Sequence, residues 1–175
     1  GSWAFLEQDD FEAKTHALLS EHGKTLLRLA AQSIQHGLTT ARPLTVNPDK
    51  LPKVLCALGA SFITLKLEGQ LRGCIGSVQS QRPLAEDVAK NAFASAFCDH
   101  RFSSLSPDEL ERLEISISVL SSPTLMGVSD EKDLISQLRP GIDGLIIEDK
   151  GKRALFLPSV WEQLPKAEDF LAQLK

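Results

Sequence analysis

Two short runs of this sequence hold side chains able to do chemistry. The first is Leu71-Arg72-Gly73-Cys74-Ile75-Gly76, which falls in a predicted strand, where interior glycine weakens the ladder and calls for a reason. In an extended backbone Arg72, Cys74 and Gly76 share one face. On one reading Gly73 and Gly76 let a ligand or another backbone come close, while Arg72 offers an anion-binding fork beside the Cys74 thiol. On the other the run is a bulge with a small buried cysteine. The second run, Cys98-Asp99-His100-Arg101-Phe102, stands at the C-terminal end of a predicted helix. Asp99 and His100 are its acid–base candidates. Alternatively His100 and Arg101 complement the negative helix end, and Phe102 anchors the loop.

Three functions follow from these runs. A binding module would set Arg72, Gly73, Cys74 and Gly76 against Asp99 and Arg101, forming a cleft for an anionic small molecule, a nucleotide or a partner segment. A thiol enzyme would use Cys74 as nucleophile, activated by Arg72 and assisted by Asp99 or His100. In a purely architectural role, the glycines and Arg72 hold a strand crossing together. Cys74, Cys98 and His100 are zinc-ligand types, but the spacing lacks a CxxC pair and a fourth ligand, so no metal is expected. The glycines match neither GxGxxG nor GxxxxGK[ST], and no cofactor is expected. No GxSxG elbow is present; Ser116, Ser118, Ser121 and Ser122 read as the polar side of a strand. The basic run Lys150-Gly-Lys-Arg153 reads as a solvated turn.

The elements that must position these residues can be placed from periodicity. Leu19, Gly23, Leu26, Leu27, Ala30 and Ile34 recur at helical spacing, predicting a helix over 20–36 closed by Gly37. Pro43, Pro48 and Pro52 mark an extended connection. Residues 61–68 alternate and turn at Gly69, predicting a hairpin with 71–78 as its return strand. Pro83 opens a helix on whose stripe lie Leu84, Val88, Ala92 and Ala96, with Glu86 and Asp87 at its positive end. Ser106-Pro107-Asp108-Glu109 is a capping box over a short helix. Ile115, Ile117 and Val119 alternate with Ser116 and Ser118 in a half-buried strand. A helix over 130–138, a hairpin of 144–148 with 153–157, and a helix over 167–174 complete the order. Strands in hairpins with helices interspersed point to an α+β fold with a mainly antiparallel sheet, a larger sheet part and a smaller helical part.

Composition sets the outer bounds. The 175 residues are 42% hydrophobic and 24% charged, the profile of one globular domain, expected over 3–175 after a Gly1-Ser2 tag remnant. Three cysteines without a CxxC pair fit reduced thiols in a cytoplasm. A net charge of −4 removes the footprint of a general nucleic-acid binder, and no stretch reaches the ~20 apolar residues of a membrane span.

With LRGCIG, the helix ending in AFCDHRF, SPDEL and ISISVLSSP in this order, and Gly141-Ile-Asp-Gly144 and Leu157-Pro-Ser-Val160 later, the sequence resembles the AMMECR domain family. Prokaryotic members of that family are named AmmeMemoRadiSam system protein A. The resemblance implies an α+β domain whose characteristic motifs, here Arg72, Gly73, Cys74, Gly76, Asp99, Arg101 and Phe102, face a shared cleft. It also implies an accessory role beside Memo-like and radical SAM proteins, with no settled reaction. His100 departs from the family's DPRF pattern, so the resemblance lends it no catalytic role.

Overall fold

The computed structural model describes residues 2–5, 9–120, 124–150 and 152–174, with backbone alone at 2–5, 9–12, 124, 153 and 159. Ser121, Ser122 and Gly151 of the sequence reading lie outside the described residues, as does the Arg153 side chain. In chain order the elements are β1 (Ser2–Phe5), α1 (Asp9–Thr40), β2 (Leu58–Leu67), β3 (Gln70–Gly76), β4 (Arg82–Pro83), α2 (Leu84–Phe97), β5 (Leu113–Leu120), β6 (Thr124–Leu125), α3 (Glu131–Gln137), β7 (Leu145–Asp149), β8 (Lys152–Phe156) and α4 (Ala167–Leu174). Short 3-10 turns occupy Pro48–Lys50, Lys53–Cys56, Pro107–Arg112 and Pro158–Glu162. The chain divides into two compact units, one of Asp9–Ser122 and one of Gly1–Gln8 with Pro123–Lys175.

In the larger unit β2 is the central strand. It pairs antiparallel with β3 over 62–67, with β4 at 58–59 and with β5 over 60–67. The β2–β3 turn is Glu68-Gly69, both at positive φ (52° and 77°), the two-residue connection whose twist matches that of the strands. Between Leu65 and Lys66 the register with β3 shifts, so that Arg72 is an extra, bulged residue. α2 packs on β2 and β3, and α1 packs against α2 and β5. The core joins Leu26, Ala30 and Ile34 of α1 to Val88 and Ala92 of α2 and to Ile63 and Leu65 of β2, all fully buried.

α1 differs from the sequence expectation at its start, at Asp9 in place of Ser20, and in two further details. Leu27 is exposed, while Leu29 and Ser33 face inward. Gly37 does not close the helix. A Cβ there would meet the Phe93 and Phe97 rings of α2, so this glycine permits helix approach. The helix runs on to Thr40, where Ala41 takes the positive φ (55°) and donates to the Gly37 carbonyl at 2.9 Å.

The smaller unit carries a four-stranded sheet in the order β6-β1-β7-β8, packed with α3 and α4. Trp161 stacks on Phe170 with ring centroids 3.8 Å apart, and the Trp161 Nε1–H donates to the Asp143 carbonyl at 2.7 Å. The α+β class with antiparallel sheets agrees with the sequence expectation. The smaller part holds a sheet as well as helices: the β7–β8 hairpin, expected from local pattern, is widened by β1, from the start of the chain, which pairs with β7, a contact that no local pattern encodes. Among the described residues no helix is long and apolar enough to cross a membrane.

Candidate functional site

The site is built on β3 and on the turn that follows α2. α2 comes so close to β3 that a Cβ on Gly73 would collide with the Ser95 carbonyl oxygen. The Ser95 hydroxyl stands between the two strands, accepting from Ile75 N–H at 2.9 Å and donating to the Ile63 carbonyl at 2.9 Å. Gly76 is equally constrained: a Cβ there would strike the Phe62 ring. The backbone and ring that approach these glycines belong to this chain, and they fill the space that the sequence reading left for a ligand.

Past the end of α2 the chain turns sharply, with Phe102 N–H donating to the Asp99 carbonyl at 3.0 Å. This brings Asp99 against the outer edge of β3. Its Oδ2 accepts from Cys74 N–H at 2.9 Å and from Arg101 Nη2 at 2.7 Å, and its Oδ1 accepts from Arg101 Nε at 2.9 Å and Arg101 N–H at 3.2 Å. The Arg101 guanidinium, with the Cys74 and Arg101 amides behind it, holds the Asp99 carboxyl well below the usual carboxylate range although burial works the other way. A carboxylate so engaged has little basicity left for proton abstraction near neutral pH. Arg101 Nη2 also donates to the Cys74 carbonyl at 3.2 Å. Together Asp99 and Arg101 satisfy both backbone groups of Cys74 where a neighbouring strand would otherwise sit.

Arg72 and Arg101 have different surroundings. Arg72 donates from Nε to Glu109 Oε1 at 2.7 Å and from Nη2 to Oε2 at 3.0 Å, and from Nη1 to the Ser103 carbonyl at 2.9 Å. Only 11% of its side chain is exposed. Glu109, which also accepts from Ser106 N–H and Oγ at 2.8 and 2.9 Å, has its carboxyl pushed down to about 2 by Arg72 and Ser106. The Arg72 fork is thus filled by the capping-box glutamate. Arg101, by contrast, is 56% exposed, and among the described residues its Nη1 makes no hydrogen bond. Its guanidinium lies 5.5 Å from the Phe102 ring centroid, with that of Arg72 at 6.0 Å.

Cys74 is half-buried, its Sγ 3.4 Å from Thr64 Oγ1 on β2. No imidazole or free carboxylate among the described residues bonds to it. Cys98, at the end of α2, and His100 are exposed, and Cys56 is half-buried with its thiol 3.7 Å from the Pro48 carbonyl. The structure therefore gathers Arg72, Gly73, Cys74, Asp99, Arg101 and Phe102 around one edge of β3. The arrangement offers a partly exposed thiol, a hydroxyl and one outward guanidinium, and it commits Arg72, Asp99 and the glycines to holding these in place.

Sequence reasoning missed a second polar group in the larger unit. Asp87 is fully buried; it accepts from Ser61 N–H at 2.8 Å, Ser61 Oγ at 2.7 Å, Ser77 Oγ at 2.7 Å and Asn91 Nδ2 at 2.9 Å. The signal was present: Asp87, Asn91 and Ser95 recur every four residues beside Val88, Ala92 and Ala96, a polar stripe on a buried helix face. Read locally, Asp87 only complements a helix dipole. An apolar groove of about 320 Å³ lies elsewhere, lined by Leu18, Val54, Leu58, Leu84 and Val119, and none of Arg72, Gly73, Cys74, Gly76, Asp99, Arg101 and Phe102 borders it.

The chain and its architecture have counterparts among known proteins. The family model described as AMMECR1 matches residues 27–175. A protein of Methanothermobacter thermautotrophicus is 36% identical over 159 residues, covering 88% of this chain and 80% of its own. One of Sulfolobus acidocaldarius is 39% identical over 157 residues, covering 86% and 68%. The crystal structure of an uncharacterized protein from Pyrococcus horikoshii matches with a TM-score of 0.81 at 33% identity, over 88% of this chain and 78% of that one.

Proposed function

The chain belongs to the AMMECR1 family, and from that premise we propose that it is a binding module whose recognition group is the Arg101 guanidinium. The observation that carries this reading is the difference between the two arginines. Arg72 is consumed by Glu109, whereas Arg101 is anchored on one side by Asp99 and the Cys74 carbonyl and presents Nη1 outward. A guanidinium held in this way has already lost much of its conformational freedom, which lowers the entropic penalty of capturing an anion. Cys74 and Thr64 add a thiol and a hydroxyl beside it, and Phe102 backs the guanidinium plane. The ligand class is an anionic small molecule, a nucleotide or an acidic partner segment. The family resemblance supports an accessory role in the cytoplasm beside Memo-like and radical SAM partners. The thiol-enzyme alternative, with Cys74 as nucleophile, finds less support, since Asp99 is too well satisfied to serve as its base.

The test is a thermal-shift and calorimetry panel of nucleotides, phosphorylated metabolites and carboxylates on the wild type and on Arg101→Ala. A true ligand at about 100 times its Kd adds about 2.7 kcal/mol to stability. The expected result is at least one such ligand whose stabilisation disappears in R101A and only weakens in R101K, which keeps the charge and loses the fork. A panel in which no compound stabilises the wild type more than R101A overturns the reading.

A further inference from the structure

The two outer strands of the larger unit's sheet are finished in opposite ways. On β3 the outward N–H and C=O of Cys74 are capped by Asp99 and Arg101, and the strand is bulged at Arg72. These are devices by which a sheet edge refuses another strand. β5 has none of them. Its eight residues Leu113–Leu120 pair with β2 without a register shift, no proline interrupts them, and beyond Glu114 no residue is charged.

The direction of its backbone groups follows from the ladder. Cys74 turns its N–H and C=O away from its β2 partner Thr64, so Thr64 turns its own toward β5 and bonds Ser116. Alternation then points the N–H and C=O of Ile115, Ile117 and Val119 away from β2. Ser61, opposite Val119, agrees: its N–H goes to Asp87 and its carbonyl accepts from Ser77 N–H and Asn91. Among the described residues nothing bonds to β5 on its outer side, and β5 pairs with β2 alone. Ile115, Ile117 and Val119 remain partly exposed although they face the core, whereas their β2 neighbours Ile63 and Leu65 are fully buried.

We propose that this edge is a self-pairing surface, on which β5 of a second copy adds antiparallel about Ile117. The sequence of the strand selects that partner. Read outward from Ile117, Ile115-Ser116-Ile117-Ser118-Val119 is symmetric in residue type, so a two-fold axis through Ile117 sets Ser116 opposite Ser118 of the second copy and Ile115 opposite Val119. Every outward N–H and C=O of Ile115, Ile117 and Val119 then finds a partner, the serine hydroxyls meet on the exposed face, and the two sheets become one. The interface is isologous and closes at two copies. One strand pair is a small interface, so the dimer forms in the micromolar to millimolar range and not as a permanent assembly.

Sedimentation of the full chain from about 1 µM to about 1 mM tests this in three forms. The wild type is expected to pass from monomer to dimer. S116K/S118K places lysine opposite lysine at both exposed positions and is expected to weaken dimerisation at least about tenfold. S116K/S118E, with the same number of changes, places lysine opposite glutamate and is expected to restore it. A wild type that stays monomeric throughout overturns the proposal. So does a dimer that both variants leave unchanged, which would lie on another surface. Amide exchange on the wild type provides a check independent of any variant: protection at Ile115, Ile117 and Val119 must rise with concentration, and unchanged protection refutes the pairing.

Discussion

Gly73→Ala separates a glycine kept for a ligand from one kept for the protein's own helix. If the space beside Gly73 served a ligand, an added methyl would impair binding and leave folding nearly intact. The structure places the Ser95 carbonyl oxygen there, within collision distance of the new Cβ. That oxygen belongs to the α2 backbone, so it cannot rotate away as a flexible side chain would. Either β3 or α2 must move, and such overpacking is worth about 1–3 kcal/mol. The same movement stretches the two hydrogen bonds of the Ser95 hydroxyl to Ile75 and Ile63, each worth about 1 kcal/mol net. Against this stands the lower entropy of an unfolded chain with alanine, about 0.4–1 kcal/mol. The expected loss is therefore about 2–4 kcal/mol. Far-UV circular dichroism in a urea titration is the right assay, because α1 and α2 dominate its signal, whereas both tryptophans, Trp3 and Trp161, belong to the smaller unit. Gly23→Ala is the control: that helical glycine has nothing within 4 Å of an added Cβ and should gain up to about 1 kcal/mol. A Gly73→Ala protein within about 0.5 kcal/mol of the wild type, no more than the usual scatter of a surface change, would refute the close approach of α2 to β3.

Two further outcomes follow from the ion pairs. Arg72→Ala leaves Glu109 without its main partner and should destabilise the fold by about 2–4 kcal/mol. In the double-mutant cycle with Glu109→Ala the coupling should be about 1–3 kcal/mol, and a coupling near zero would show that the pair holds nothing. Asp99 and Glu109 both have folded-state carboxyls depressed below their unfolded values, Glu109 to about 2. Between those limits the unfolded chain binds more protons than the folded one, so stability is fully present above about pH 5 and falls as pH drops toward 2. Asp99→Asn should flatten this acid limb, and urea midpoints measured at several pH values would show it.

Much of the fold was legible because it rests on local patterns. The Ser106–Glu109 capping box, a turn at Gly69, the alternation of β5 and the span of α4 each need only residues a few positions apart, and the structure has them where the pattern put them. The apolar stripe of α2 was likewise legible from Leu84, Val88, Ala92 and Ala96. The polar stripe beside it was not interpreted, since a buried aspartate makes sense only once Ser61 and Ser77 are known to supply its donors. Gly37 was misplaced for a similar reason: a glycine near a helix end and a glycine under two phenylalanine rings look alike in sequence.

The amino-acid sequence alone determined the inventory of the site: two arginines, a thiol, an aspartate and glycines in two runs, together with the elements that carry them. It left open which charge answers which. Tertiary structure paired Arg72 with Glu109, 37 positions away, and turned Asp99 back on Cys74 and Arg101, leaving one guanidinium facing outward. The physical reason is that charge and hydrogen-bonding capacity are properties of a residue, whereas whether they are spent or available depends on neighbours brought within about 3 Å by packing.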